Sequence, residues 1–410
     1  MTTLFAPLSK NSQTAESPLP GRLRLPKGSA VLVVLFGRIG DVVFTLPSVV
    51  ALARARPDVS IDWIVEDRCA DLLHGHPHLR EIILFERSKI SGLFKGGHPL
   101  RAVRELSSLI RTLRRRPYAA VLDFQGLLKS GIATGLARGA TKLGSPSTYG
   151  RMKEGAGLFS RQVPLTHSGL HLVERHLLVV RELLGVPLPP ESTGLVFGED
   201  EIRSAREKVG TVPFVLIHPF ASWPTRSWSV DSWKKVAREI AGKGFRILVA
   251  GAGGAFQEEF ARTILEGLPA TGQSTHRALL GTLTLRELAI VLALSEAVLA
   301  VDSGPMHIAA AVGARVVALF GPTDPVRLGP FGPRRRPGEE EIYGRSGAVL
   351  TAGLPCQPCM LRRCPIGTPC QSRLTPSAVT EAFGRILGEQ ERAGLSRLIG
   401  SRSAEGGGGA

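Results

Sequence analysis

The chain has 410 residues, 43% hydrophobic, 21% charged and 6% aromatic, a globular composition that excludes a disordered polymer. Its 51 Lys and Arg against 35 Asp and Glu leave a formal charge of +16, which favours an acidic partner: nucleic acid, a phosphorylated ligand or an anionic membrane face. No apolar run nears the roughly 20 residues needed to cross a bilayer, and the first 29 residues lack the apolar core of a signal peptide, so a cytoplasmic protein of two domains is expected.

Residues 1–29 carry Pro, Ser, Thr and Gly without apolar periodicity and read as a loose extension. At Ala30 an unbroken run, Ala30-Val31-Leu32-Val33-Val34-Leu35-Phe36, predicts a strand buried on both faces, the parallel-sheet type. Strand-like runs follow at 60–65, 81–85 and 119–123, with helical spacing between them at 46–54 and 100–113. That alternation predicts a doubly wound sheet. A Pro-rich break from Gly185 to Pro190 interrupts it. A second series then starts, with strands at 214–217, 245–250, 297–301 and 315–320 and helices at 232–241, 285–294 and 306–312. The expected organisation is an extension over 1–29, a first α/β unit over 30–190 and a second over 191–372. A C-terminal helix within 373–400 and a flexible tail over 401–410 complete it.

In open α/β sheets ligands sit beyond the carboxyl ends of the strands, so residues that follow strands carry the candidate chemistry. The first strand leads into Gly37-Arg38-Ile39-Gly40-Asp41, then Thr45-Leu46-Pro47. The glycines permit a tight turn and close ligand approach, without the spacing of a dinucleotide fingerprint. Asp41 either caps the next helix or stands at the cleft mouth as a general base. The fourth strand ends in Asp123, followed by Gln125 and Lys129. These either face the cleft or leave Asp123 as a cap and Lys129 in solvent.

In the second unit a polar loop from His218 to Trp228 places hydroxyls and Arg226 beyond a strand, as a grip on phosphate requires. The strand at 245–250 gives way to Gly251-Ala252-Gly253-Gly254, then Glu258 and Glu259, either of which suits ribose hydroxyls. Phe256 stands where a Rossmann fingerprint needs its third glycine, which disfavours a nicotinamide cofactor. The sharpest run is Val301-Asp302-Ser303-Gly304-Pro305-Met306-His307. A capping residue, a Pro suited to the first turn and exposed N–H groups make an anion site there, with His307 one turn in. The turn Phe320-Gly321-Pro322-Thr323-Asp324-Pro325 offers Thr323 to the same anion.

Cys69 stands alone, whereas Cys356, Cys359, Cys364 and Cys370 crowd one loop as C-x2-C-x4-C-x5-C. This is no secreted disulfide scaffold. It fits a structural zinc or iron–sulfur site, or a loop stiffened by Pro355, Pro358, Pro365 and Pro369, and has no catalytic role. Basic runs at 111–116 and 334–336 read as solvated faces, and with only Tyr118 nearby for base stacking, nucleic acid is not expected.

Gly40-Asp41 with Thr45-Leu46-Pro47, and Asp123-Phe124-Gln125-Gly126-Leu127-Leu128-Lys129-Ser130, resemble the first half of the ADP-heptose:lipopolysaccharide heptosyltransferases, glycosyltransferase family 9. The runs 301–307 and 320–325 resemble their second half, and the D-x-Q-G-L-x-K-S stretch points towards heptosyltransferase I. The resemblance covers about Val31 to Pro325. It implies an α/β fold of the GT-B type, two facing Rossmann-like domains with the site between them. The first would bind acceptor, the second nucleotide sugar, and a C-terminal helix, here Pro376–Leu395, would return to the first. The implied reaction is an inverting transfer of heptose from ADP-heptose to Kdo or heptose of the lipopolysaccharide inner core.

On that resemblance Asp41 falls on the general base, and Ser303, Gly304 and His307 on the diphosphate loop. Arg226, where Lys is common, also contacts phosphate; Asp302 lies near the donor sugar; Thr323 and Glu258 complete the donor set. Gly40, Asp123, Gln125 and Lys129 belong to the acceptor side. Catalysis requires no cofactor. The implied partners are ADP-heptose and Kdo–lipid A or inner-core lipopolysaccharide, with the enzyme peripheral at the inner face of the inner membrane, where its basic excess draws it. Two other readings stay open: a related inverting glycosyltransferase with another nucleotide sugar or a protein acceptor, and a non-catalytic binder of anionic polymer.

Overall fold

The apolar run at Ala30 does form a strand, β1 (Ala30–Val34), and its residues from Val31 onwards are buried on both faces. Such a strand needs helices above and below, and the chain supplies them by alternation. The computed structural model describes residues 25–145, 155–165, 169–270, 275–334 and 342–388. Most of the expected extension (1–24), Arg335 and Arg336 of the second basic run, and the tail from 389 lie outside the described residues.

In the first unit β1 is followed by α1 (Ile39–Ala55), β2 (Ser60–Glu66), α2 (Asp67–Ala70) and β3 (Glu81–Phe85). Then come α3 (Arg87–Lys95), α4 (Pro99–Arg114), β4 (Tyr118–Asp123), α5 (Leu128–Leu136), β5 (Gly139–Gly144), β6 (Arg161–Gln162) and α6 (Leu172–Leu184). The strands form one parallel sheet of order β3-β2-β1-β4-β5-β6. Register puts Val34 beside Ile64 and Asp123, so the carboxyl ends of β1, β2 and β4 form one edge. Helix α6 is capped by His171, whose Nδ1 accepts from the Val173 N–H, and ends at Gly185 in the left-handed conformation that favours glycine.

The second unit runs α7 (Glu199–Val209), β7 (Phe214–His218), α8 (Val230–Gly242), β8 (Arg246–Gly251), α9 (Ala255–Leu265) and β9 (Arg277–Leu280). It continues with α10 (Leu285–Leu294), β10 (Ala297–Val301), α11 (Gly304–Ala311), β11 (Val316–Phe320) and α12 (Pro325–Leu328). A small antiparallel ribbon, β12 (Phe331–Arg334) with β13 (Ile342–Arg345), precedes β14 (Ala348–Thr351), α13 (Pro369–Ser372) and α14 (Pro376–Gly388). The second sheet is also parallel, with order β14-β11-β10-β7-β8-β9. Two facing Rossmann-like units are the GT-B arrangement.

One core cluster runs through both units, and Phe44, Leu172 and Val173 of the first pack with Phe331 of the second. Arg286 of α10 ties the units and their connection together. Its guanidinium donates to both carboxylate oxygens of Glu201, to the Val196 carbonyl and to the His74 carbonyl, while its N–H donates to Asp71. Among the described residues no helix is long and apolar enough to cross a membrane.

The C-terminal helix departs from expectation. Rather than returning to the first unit, α14 packs on α8, β11 and β14 of the second, burying Val379, Ala382, Phe383 and Ile386, with Phe383 edge-on to Phe245. Its apolar stripe matches the open face of the second sheet, and that nearby surface receives it.

Candidate active site

Both sheets turn their carboxyl edges towards the gap between the units, and two helix starts meet there. Glycine makes the approach possible. A Cβ on Gly40, in α1, would lie 2.7 Å from the His307 ring of α11, and one on Gly304 would lie 2.9 Å from Ile39. The turn before α1 is equally tight: at Gly37, with φ +133°, a Cβ would lie 2.9 Å from the Cys69 sulfur.

Asp41 follows Gly40 directly and stands in the first turn of α1, not at its cap, which is Arg38. The capping reading therefore fails. Burial raises the Asp41 carboxyl above its ordinary range even though Arg38, His307, Arg226 and Lys129 all act to lower it. Those four side chains place Asp41 within reach of both walls. Behind it, the Thr45 hydroxyl donates to the Asp41 carbonyl and pairs with His176 Nδ1 at 2.9 Å.

The opposing wall is built on Asp302, at the end of β10. Thr323 donates its hydroxyl to Oδ2 at 2.6 Å, Arg226 Nη1 lies 3.3 Å from the same oxygen, and His307 Nε2 lies 3.6 Å from Oδ1. Burial by itself would raise this carboxyl, but His307, Arg226 and Thr323 together hold it below the usual range. Arg226 is set by a short 3-10 turn and stacks over Trp223 at 4.0 Å. Ser303 occupies the N-cap of α11 without capping it; its hydroxyl pairs instead with His218 Nδ1 at 3.3 Å. The helix start, with its dipole, thus faces the gap beside a guanidinium and an imidazole, a site suited to a polyanion. His307 is nearly buried, packs its ring 4.4 Å from Phe44, and has no partner for Nδ1 among the described residues.

Other predicted residues are placed differently. Thr323 is buried behind Asp302, its hydroxyl spent on that carboxylate rather than offered to an anion. Glu258 is exposed in the first turn of α9, and its neighbour Glu259 pairs with Arg262. Asp123 is fully buried and holds its own loop: it accepts from the Gln125 and Gly126 N–H groups and the Ser130 hydroxyl. Burial pushes its carboxyl up to about 6 against those bonds. The Gln125 side-chain oxygen accepts from the Phe36 N–H, tying β4 to β1.

Lys129 is not simply solvated. It reaches Glu66 at 2.8 Å and lies over the Phe36 ring. Glu66, the last residue of β2, is 1% exposed and also receives Arg68 at 2.8 Å and Arg87 at 3.6 Å. The sequence reading misses this cationic wall, although Glu66 ends a strand at the same edge as Asp123, which is the available signal.

The cysteine loop braces the second wall. Thr225 donates to the Leu361 carbonyl, the Met360 N–H to the Pro322 carbonyl, Gln357 to the Gly321 carbonyl and Gln371 to the Thr225 carbonyl. Among the described residues no group of three or more His, Cys, Asp or Glu is arranged to hold a metal ion. Burial pushes the Cys370 thiol up, and the nearby Cys359, Cys364 and Cys356 add to that.

Comparison with known proteins agrees with this geometry. The model of glycosyltransferase family 9 (heptosyltransferase) matches residues 106–365. Lipopolysaccharide heptosyltransferase 1 of Pseudomonas aeruginosa is 30% identical over 338 residues, 82% of this chain and 87% of that protein. Its namesake from Escherichia coli K12 is 28% identical over 326 residues, 78% of this chain and 98% of that protein. The solved E. coli heptosyltransferase WaaC with ADP superposes with a TM-score of 0.66 at 24% identity, covering 87% of this chain and 99% of WaaC.

Proposed function

The chain belongs to glycosyltransferase family 9, the heptosyltransferases, and on that premise we propose that it moves heptose from ADP-heptose, with inversion, to the Kdo/inner-core region of lipopolysaccharide. The observation that carries this reading is the meeting of the α1 and α11 starts, which puts Asp41 opposite Ser303, Gly304, His307 and Arg226.

In this reading Asp41 takes the proton of the acceptor hydroxyl, and its raised pKa makes it the stronger base. The hydroxyl oxygen attacks the anomeric carbon on the face opposite ADP, the bond to the diphosphate breaks through an oxocarbenium-like state, and one displacement inverts the centre. Charge then grows on the departing diphosphate. The N-terminus of α11 and the Arg226 and His307 side chains lie where that charge develops. Asp302 and Thr323 hold Arg226 and His307 in place, Glu258 is assigned to the ribose, and the Lys129, Arg68 and Arg87 wall to the anionic acceptor. Asp123 and Gln125 serve the acceptor side by fixing the loop that carries Lys129.

The transfer needs no cofactor, because the helix start and the cations supply the charge. A structural metal in the cysteine loop is a separate proposal on thiol chemistry alone: one zinc or iron per chain by metal analysis supports it, and fully active metal-free protein removes it. The acceptor is lipid-linked and anionic, so the enzyme works against the inner face of the inner membrane. The test is a donor screen with purified protein and Kdo–lipid A, scored by mass spectrometry. Product from ADP-heptose is expected, and product only from UDP or GDP sugars would overturn the assignment. A His307→Ala variant should weaken ADP binding more than adenosine binding, and equal weakening would remove His307 from the diphosphate site.

A further inference from the structure

We propose that the tip of the α3–α4 hairpin docks the first unit onto an anionic phospholipid surface, holding the acceptor wall of the cleft against the bilayer. The inference rests on the lipid-linked acceptor proposed above and adds the face that meets the lipid.

Every residue from Phe94 to Arg101 is exposed. Within and just beyond this stretch, Leu100 is 85%, Val103 52% and Phe94 49% exposed, large apolar side chains left in water where scattered polar residues would serve. Helix α5, which packs on α4, adds Leu128 and Ile132, both more than two-fifths exposed. Among the described residues the second unit exposes Val196, Phe256, Leu361 and Ile366 to a comparable extent.

Cations surround the apolar tip. Lys95, Arg101 and Arg104 form no ion pair among the described residues, and Glu105, the sole acidic residue of α4, is engaged by Lys89 at 3.0 Å. An apolar tip ringed by unbalanced cations suits the boundary between acyl chains and anionic headgroups. Helix α4 has 16 residues, too few to span a bilayer, so it would lie along the surface. The hairpin is also rooted in the cleft: Arg87, which opens α3, reaches Glu66 in the acceptor wall.

The full-length protein is sedimented with vesicles of phosphatidylcholine alone or with about one-third phosphatidylglycerol, at low and high salt. Wild type is expected to bind the anionic vesicles and to weaken with salt. The triple variant Phe94→Ser, Leu100→Ser, Val103→Ser should lose about tenfold in binding. Lys95→Glu, Arg101→Glu, Arg104→Glu should lose as much, and both variants should keep wild-type turnover on a lipid-free Kdo acceptor. Wild type that ignores vesicles, or variants that bind like wild type, overturn the docking face and assign the patch to a protein partner or to none. Absent turnover on the lipid-free acceptor with intact vesicle binding would instead count against the proposed reaction and leave the docking face standing.

Discussion

The two walls of the cleft treat their carboxylates in opposite ways. On the second unit, Asp302 is buried and saturated by Thr323, Arg226 and His307, which keep it ionised. On the first, the Asp41 carboxylate forms no hydrogen bond among the described residues, and burial raises it despite Arg38, His307, Arg226 and Lys129 nearby. Environments that push two carboxyls apart separate their roles. Asp302 is a fixed anion that shapes its wall; Asp41 is left available to take a proton.

The largest effect should come from breaking that contrast at Asp41. Asp41→Asn is expected to lower kcat by about a thousandfold, or about 4 kcal/mol, as loss of a general base does. ADP affinity measured by calorimetry should stay level or tighten, because a negative charge leaves the neighbourhood of His307 and Arg226. ADP affinity falling in step with turnover would show that Asp41 holds the nucleotide instead.

Acid should act on both walls, since each is backed by a buried neutral histidine. Burial pushes His218, behind Ser303, down to about 4 and His176, behind Thr45, down to about 3. A folded-state pKa below the unfolded value of about 6.5 means that the native state binds fewer protons, so stability is intact above that pH and falls as pH drops towards 4. Each histidine is worth about 3 kcal/mol across that window. Chemical denaturation at pH 7, 5.5 and 4.5 checks this, and a flat profile would refute it.

The walls should also differ in what their carboxylates do for stability. Asp302→Asn removes the partner of a buried guanidinium and is expected to destabilise the protein by about 3 kcal/mol in urea titration. Asp41→Asn should cost nothing there, or stabilise slightly, because a carboxyl that burial disfavours loses its charge. Equal losses would erase the distinction.

Much of this contrast is legible in the amino-acid sequence. Strands buried on both faces announce themselves as unbroken apolar runs, and residues that follow strands in a parallel sheet must reach the cleft, which locates Asp41, Asp302, Ser303 and His307. Partners are not legible. Asp123 and Thr323 have the right chemistry for a ligand, but the Gln125 and Gly126 N–H groups and the Asp302 carboxylate claim them. The periodicity of α14 shows that it has an apolar face, not which unit receives it. The cysteine loop draws attention to its sulfurs, whereas backbone carbonyls and amides brace the site.

The smallest effect concerns a residue that no sequence motif singles out. Glu66 gathers Lys129, Arg68 and Arg87 around one buried carboxylate at the carboxyl end of β2, which holds the three cations together. Glu66→Gln is expected to raise KM for the anionic acceptor about tenfold, or about 1.4 kcal/mol, while kcat and ADP affinity hold. Glu66→Asp should recover part of the loss, because the charge returns even if the reach shortens. A lower KM in Glu66→Gln would mean that Glu66 only damps the positive potential of this wall, and orientation of the three cations would then contribute nothing to acceptor binding.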